Sequence, residues 1–220
     1  MQILRSAFAL GVLTILGLVS YGLIRFPGTS TRSHVGVAIV LIVYGLMAWR
    51  GPVILLRQPR VVVNLLLTLG VLAGAVFAVE VLLEYVLLPA DNTVFGYVEF
   101  GLVLLIYFLA GVLVAYLGFP LRSRIIAGAG TAIIASLIWY IAVLACFYVF
   151  FGTESQAQVF HAEGEYEDFR RSGMTDFPTF VMEDYLGAGF FHLLLGPVVA
   201  MILASAGGLV GKGLARFRNA

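Results

Sequence analysis

The chain has 220 residues, 61% of them hydrophobic and only 11% charged, with a formal net charge of +1 and a mean hydropathy of +1.04. Soluble domains carry charge at roughly a quarter of their positions, and a fold of this size in water leaves too much of its surface exposed to hide so much apolar material. A water-solvated globule is excluded, and the absence of any basic patch or polybasic run leaves nucleic-acid binding without support.

Six continuous apolar runs follow one another, at residues 7–24, 35–56, 61–88, 94–119, 125–151 and 186–214. Each is near or above the roughly 20 residues that a helix needs to cross about 30 Å of hydrocarbon. Barrel strands would alternate in polarity over about ten residues, and these runs do not alternate. The sequence therefore predicts an all-α integral membrane protein, a bundle of six transmembrane helices forming one domain over residues 1–220.

Arg5 precedes the first run, as in a signal peptide. The apolar part exceeds the usual 7–15 residues and no small-x-small cleavage site follows, which favours a retained helix. Phe26-Pro27-Gly28 ends this span, and Gln58-Pro59 separates the second from the third. Pro89 is expected to close the third span and Pro120 the fourth, because proline stops or kinks a helix. Pro52 and Pro197 fall inside spans, and a bend is expected near Pro197. Phe26-Pro27 before the second span and Phe119-Pro120 before the fifth form a faint echo of an inverted three-helix repeat.

Basic residues set the expected orientation. Arg5, Arg50, Arg57, Arg60, Arg122, Arg124, Lys212, Arg216 and Arg218 fall on one side, and Arg25, Arg32, Arg170 and Arg171 on the other. The positive-inside rule then places both termini in the cytoplasm. Twelve arginines against one lysine is a usage typical of a high-GC bacterial genome, so the bacterial cytoplasmic (inner) membrane is the expected location.

Residues 152–185 form the one sizeable polar stretch, a short helical loop expected outside the cytoplasm between the fifth and sixth helices. Eight acids against Arg170 and Arg171 leave it a net charge of minus six. Val159, Ala162, Tyr166 and Phe169 recur at helical spacing, and Asp176 before Phe177-Pro178 reads as an N-cap with proline just inside the next helix. Two short helices are predicted, the second leading into the sixth span, with Gly164 and Gly173 weakening or breaking the first. Val159, Tyr166, Phe169 and Phe177 are candidates for docking a partner.

Ionisable side chains inside the spans are costly in lipid and usually face the bundle interior or a wet cavity. Glu80 and Glu84 share one face of the third helix, with Glu80 about 12 Å from its outer end at about 1.5 Å per residue. Glu99 lies about one turn into the fourth helix and His192 roughly two turns into the sixth, from the same side. These four form a candidate cation or proton site; whether a metal occupies it is left open, since no HExxH or zinc spacing is present. Structurally, the same residues could pack the bundle or reach interfacial water. His192 is followed by Gly196, Ala200, Ala204 and Gly208, a small-residue stripe that lets another helix approach closely. Gly70, Gly74 and Ala78 make a second stripe on the third helix, and docking the two would bring Glu80 near His192.

Cys146 is the sole cysteine, so no intramolecular disulfide or CxxC pair exists. His34 lies at the edge of a span and no CxxCH occurs, which disfavours bis-histidine haem; single pigment ligation by His192 stays open, and the cofactor is unassigned. Without GxSxG or a second membrane-embedded histidine, an intramembrane enzyme is the least favoured class. The favoured reading is a non-catalytic subunit or assembly component of a larger membrane complex, with other membrane subunits or copies of itself and the bilayer as partners. The alternative is a small cation- or proton-coupled transporter or channel using the Glu/His cluster.

Overall fold

A computed structural model describes residues 2–28, 31–87 and 93–218. Among them the chain is helical with short connections: α1 (Gln2–Arg25), α2 (Thr31–Leu56), α3 (Arg60–Leu87), α4 (Thr93–Tyr116), α5 (Leu121–Val149), α6 (Glu154–Ala162), α7 (Glu165–Ser172) and α8 (Phe177–Arg218). Six helices are long and apolar enough to cross a membrane, those of α1 to α5 and α8. Pro89, expected to close the third span, lies outside the described residues. Apolar side chains cover the outside of the bundle as well as its inside, with Ile24, Trp49 and Val94 among the most exposed. Helices are required because no water is available to pair a free backbone group in hydrocarbon.

The even number of spans brings both ends of the chain to one end of the bundle, here called the terminal end. The other end, the capped end, carries α6, α7 and the start of α8. At the centre stands α5, packed against α1, α3, α4 and α8, while α2 touches α1 and α8 at the periphery.

The small-residue stripes set the close packing, though not in the pairing expected. On α3, a Cβ at Gly70 would lie 2.8 Å from Ile134 Cβ and one at Gly74 2.7 Å from Ile138 Cδ1, so this stripe receives α5. On α8, the stripe faces α5 and α4 instead. A Cβ at Gly196 would come within 3.3 Å of Ser136 Oγ, and one at Gly208 within 2.6 Å of Arg124 Cδ. Ala200 and Ala204 receive Gly128 of α5, and the Ala204 carbonyl receives Gly111 of α4. The expected docking of the third span on the sixth is therefore replaced by α5, which packs extensively against both.

The last helix differs most from expectation. The short helix predicted before the sixth span is continuous with it, giving α8 42 residues, or about 63 Å at 1.5 Å per residue. That is twice the hydrocarbon thickness, so its first turns stand in the capped end. Val181, Met182 and Leu186 are buried there, and this packing joins the predicted short helix to the span without a break. The Asp176 cap forms as predicted: Thr179 N donates to Asp176 Oδ2 at 3.0 Å, and Thr179 Oγ1 bonds the same oxygen. Asp176→Ala is expected to cost about 1 kcal/mol, read as a lowered thermal midpoint in detergent. The helix runs through Pro197, and Ser136 Oγ donates to His192 O at 3.2 Å in the preceding turns.

The cap is tied down by local bonds. Gln156 Nε2 donates to Phe147 O at 2.9 Å, joining α6 to the end of α5. Gly164 (φ 79°) and Gly173 (φ 73°) adopt left-handed conformations on either side of α7. This is the break that the glycines predicted, because side chains other than glycine's resist that geometry.

Candidate functional site: an acidic cavity at the capped end

Five carboxylates from α3, the α6–α7 turn, α7 and α8 surround one cavity of about 270 Å³ at the capped end. Glu80 and Glu84 come from successive turns of α3, Glu163 and Glu165 from the junction of α6 and α7, and Asp184 from the first turns of α8. Val81, Tyr85, Trp139, Val143, Tyr185 and Ala188 complete the wall. The hydroxyls of Tyr85 and Tyr185 meet at 3.3 Å, fastening α3 to α8 beside the carboxylates. Among the described residues that line the cavity, none is basic. The two arginines of the cap point elsewhere: Arg170 pairs with Glu167 at 2.6 Å and Arg171 with Asp168 at 3.0 Å, both on the exposed face of α7.

The geometry divides the four residues singled out from the sequence. Glu80 and Glu84 line the cavity. Glu99 stands on α4 behind them, close enough to Glu84 for their charges to interact. It is buried, and its Oε1 has no hydrogen-bond partner. A buried polar atom without a partner is costly, so this oxygen is suited to accept a proton, a water or a cation. His192 is not part of the wall. Its ring stacks on Trp139 at 4.0 Å and meets Phe77 edge-on at 6.1 Å. Trp139, on which the imidazole stacks, does line the cavity.

Burial and neighbouring charge shape the carboxyls of the cap. Burial first, then Glu84, Glu165 and Asp184, push Glu163 up to about 8, although its outer edge reaches water. Burial, Asp184 and Asp168 push Glu165 up to about 7.

Among the described residues, no group of three or more His, Cys, Asp or Glu side chains is arranged to hold a metal ion. The carboxylates stand around a space, not on a point. A water occupies about 30 Å³ in the liquid, so the cavity has room for several, and it suits a hydrated cation or a proton-carrying water chain.

The other predicted residues have been placed as well. Val159 is buried, and Tyr166, Phe169 and Phe177 pack on one another: Tyr166 stacks on Phe177 at 4.5 Å and Phe169 meets Phe177 at 5.3 Å. These rings join α7 to α8. Glu163, Glu165 and Asp184 were not singled out from the sequence, because along the chain they look like the solvent-facing acids beside them. Their only signal was membership of the acidic loop.

Fold and site together define a polytopic helical membrane protein with an acidic chamber at one end. No family model, curated protein or solved structure matches the chain.

Proposed function

We propose that the chain is a small cation- or proton-coupled transporter or channel whose ion enters through the acidic cavity at the capped end. The observation that carries this reading is the convergence of five carboxylates from three parts of the chain on one chamber. A cleft lined by one sign of charge concentrates counter-ions and raises their arrival rate. Glu80 and Glu84 lie within the span of α3, so the chamber's acids lead from the cap toward the bilayer. The basic residues of the terminal end favour cytoplasmic termini in a bacterial inner membrane, with the chamber facing outward.

Flux through the reconstituted full chain tests this. Proteoliposomes holding a fluorescent pH indicator or a cation indicator are expected to show uptake driven by an imposed gradient. Glu80→Gln should reduce it on the order of tenfold, the lower range of what such focusing supplies. Wild-type vesicles silent to protons and to mono- and divalent cations would overturn the proposal.

A second reading, a subunit or assembly component of a larger membrane complex, is favoured by glycines that the chain's own packing does not use. Added Cβ atoms at Gly36 and Gly45 of α2, and at Gly96 and Gly101 of α4, would meet nothing within 4 Å. Glycine on an outer helix face permits close approach of a further helix. A stable hetero-complex after mild extraction, together with silent vesicles, would favour it.

A further inference from the structure

The geometry points to a binding site for one anionic phospholipid at the terminal end, its acyl chain in an apolar crevice between the α1–α2 pair and the α3–α5 pair and its phosphate among arginines at the crevice mouth. The crevice holds about 500 Å³ and is lined almost wholly by apolar side chains and glycine, among them Phe8, Gly11, Gly51, Leu66, Gly130 and Ile134. It exists because α1 and α2 lean on α5 and α8 without packing closely against α3. Its walls lie in helices that cross the membrane, so it opens on hydrocarbon and hydrocarbon fills it. Added Cβ atoms at Gly11 and Gly51 would meet nothing within 4 Å, which leaves both walls open to a guest.

Charge separation along the chain specifies the headgroup. Residues 1–79, 100–153 and 185–220 contain no aspartate or glutamate, so every acid belongs to the capped end or to the outer parts of the helices leading to it. The terminal end holds nine basic residues with no acidic side chain to pair with. Four of them lie within six positions of lining residues along the chain. Arg50 precedes the lining residue Gly51, Arg57 follows Leu55 by two positions, Arg60 opens α3 below Leu66, and Arg122 lies one turn before Ile125. All four are exposed. Arg124 is different, being buried with its guanidinium on Phe119 O at 3.2 Å. An apolar slot ending in unpaired guanidiniums matches a chain ending in a phosphate, and guanidinium recognises phosphate through paired N–H bonds. Basic pockets between membrane helices are suited to anionic headgroups in this way.

The test is lipid titration of the detergent-extracted full chain by native mass spectrometry. Phosphatidylglycerol and phosphatidylcholine with identical chains are compared, and one tight phosphatidylglycerol adduct is expected ahead of any phosphatidylcholine. Arg57→Gln and Arg60→Gln should each reduce that preference about fivefold, the worth of one basic residue at a membrane surface. Gly51→Leu, which fills the slot, should abolish the tight phosphatidylglycerol adduct. If Gly51→Leu does not fold, the wild type decides: phosphatidylglycerol with six-carbon chains should bind at least tenfold more weakly, because short chains forfeit most of the van der Waals contact along the slot. Equal uptake of both headgroups, a ladder of equivalent adducts, or short-chain binding as tight as long would each overturn the proposal.

Discussion

Gly111→Ala is expected to destabilise the bundle by about 3 kcal/mol, the upper end of what over-packing costs. A Cβ at Gly111 would run into the backbone carbonyl of Ala204 on α8, and a backbone group cannot swing aside as a side chain can. Gly207 and Gly211 of α8 meet α4 in the same manner, against the carbonyls of Phe108 and Val112. Lipid gives helices no hydrophobic reason to associate, so close van der Waals contact must hold this pair, and a substitution that separates the backbones removes that contact along the whole seam. Gly101→Ala on the same helix is the control. Its Cβ would meet nothing within 4 Å, and the change should be neutral or should stabilise by up to about 1 kcal/mol through helix propensity. Thermal midpoints in one detergent separate the two. Equal behaviour of Gly111→Ala and Gly101→Ala would mean that α4 and α8 meet in another register.

That contrast shows where the sequence is informative. The six spans were legible because a lipid-solvated helix needs an unbroken apolar run, and a run of that length has no competing solution. Partner choice was not legible, because apolar residues surround each helix and periodicity no longer marks an inner face. The glycine stripes on α3 and α8 announced close contacts without naming the helices that fill them, and both led to α5 or α4. The same ambiguity governs the acidic site. Glu80, Glu84 and Glu99 could be singled out because charge is rare within a span. His192 met the same criterion, yet the aromatic rings of Trp139 and Phe77 enclose it. Glu163, Glu165 and Asp184 were hidden by their company, since one acid among eight in a polar loop carries no mark of the direction it faces. Only the turn at Gly164 and the extension of α8 below Leu186 bring them to α3.

The stability of the capped end should fall as pH rises from about 4.5 to about 8. Glu163 has an ordinary carboxyl value near 4.5 when the chain unfolds and about 8 in the fold, and Glu165 moves from 4.5 to about 7. Between those values the folded chain binds more protons than the unfolded one, and stability then declines with rising pH. The effect is complete once pH exceeds the folded values, because both states are then ionised and the fold keeps the repulsion among Glu163, Glu165, Glu84 and Asp184. Thermal midpoints measured from pH 4.5 to 8.5 should therefore drop steadily, and Glu163→Gln should flatten the slope while raising the midpoint at the alkaline end. Cations supply the second arm. If the chamber collects them, millimolar calcium or magnesium should recover the midpoint at pH 8 and have little effect at pH 5, where protons already occupy the carboxyls. A midpoint that rises with pH would mean that the cap's acids are stabilised as anions, and the chamber would then be a solvated surface, not a site that exchanges protons for cations.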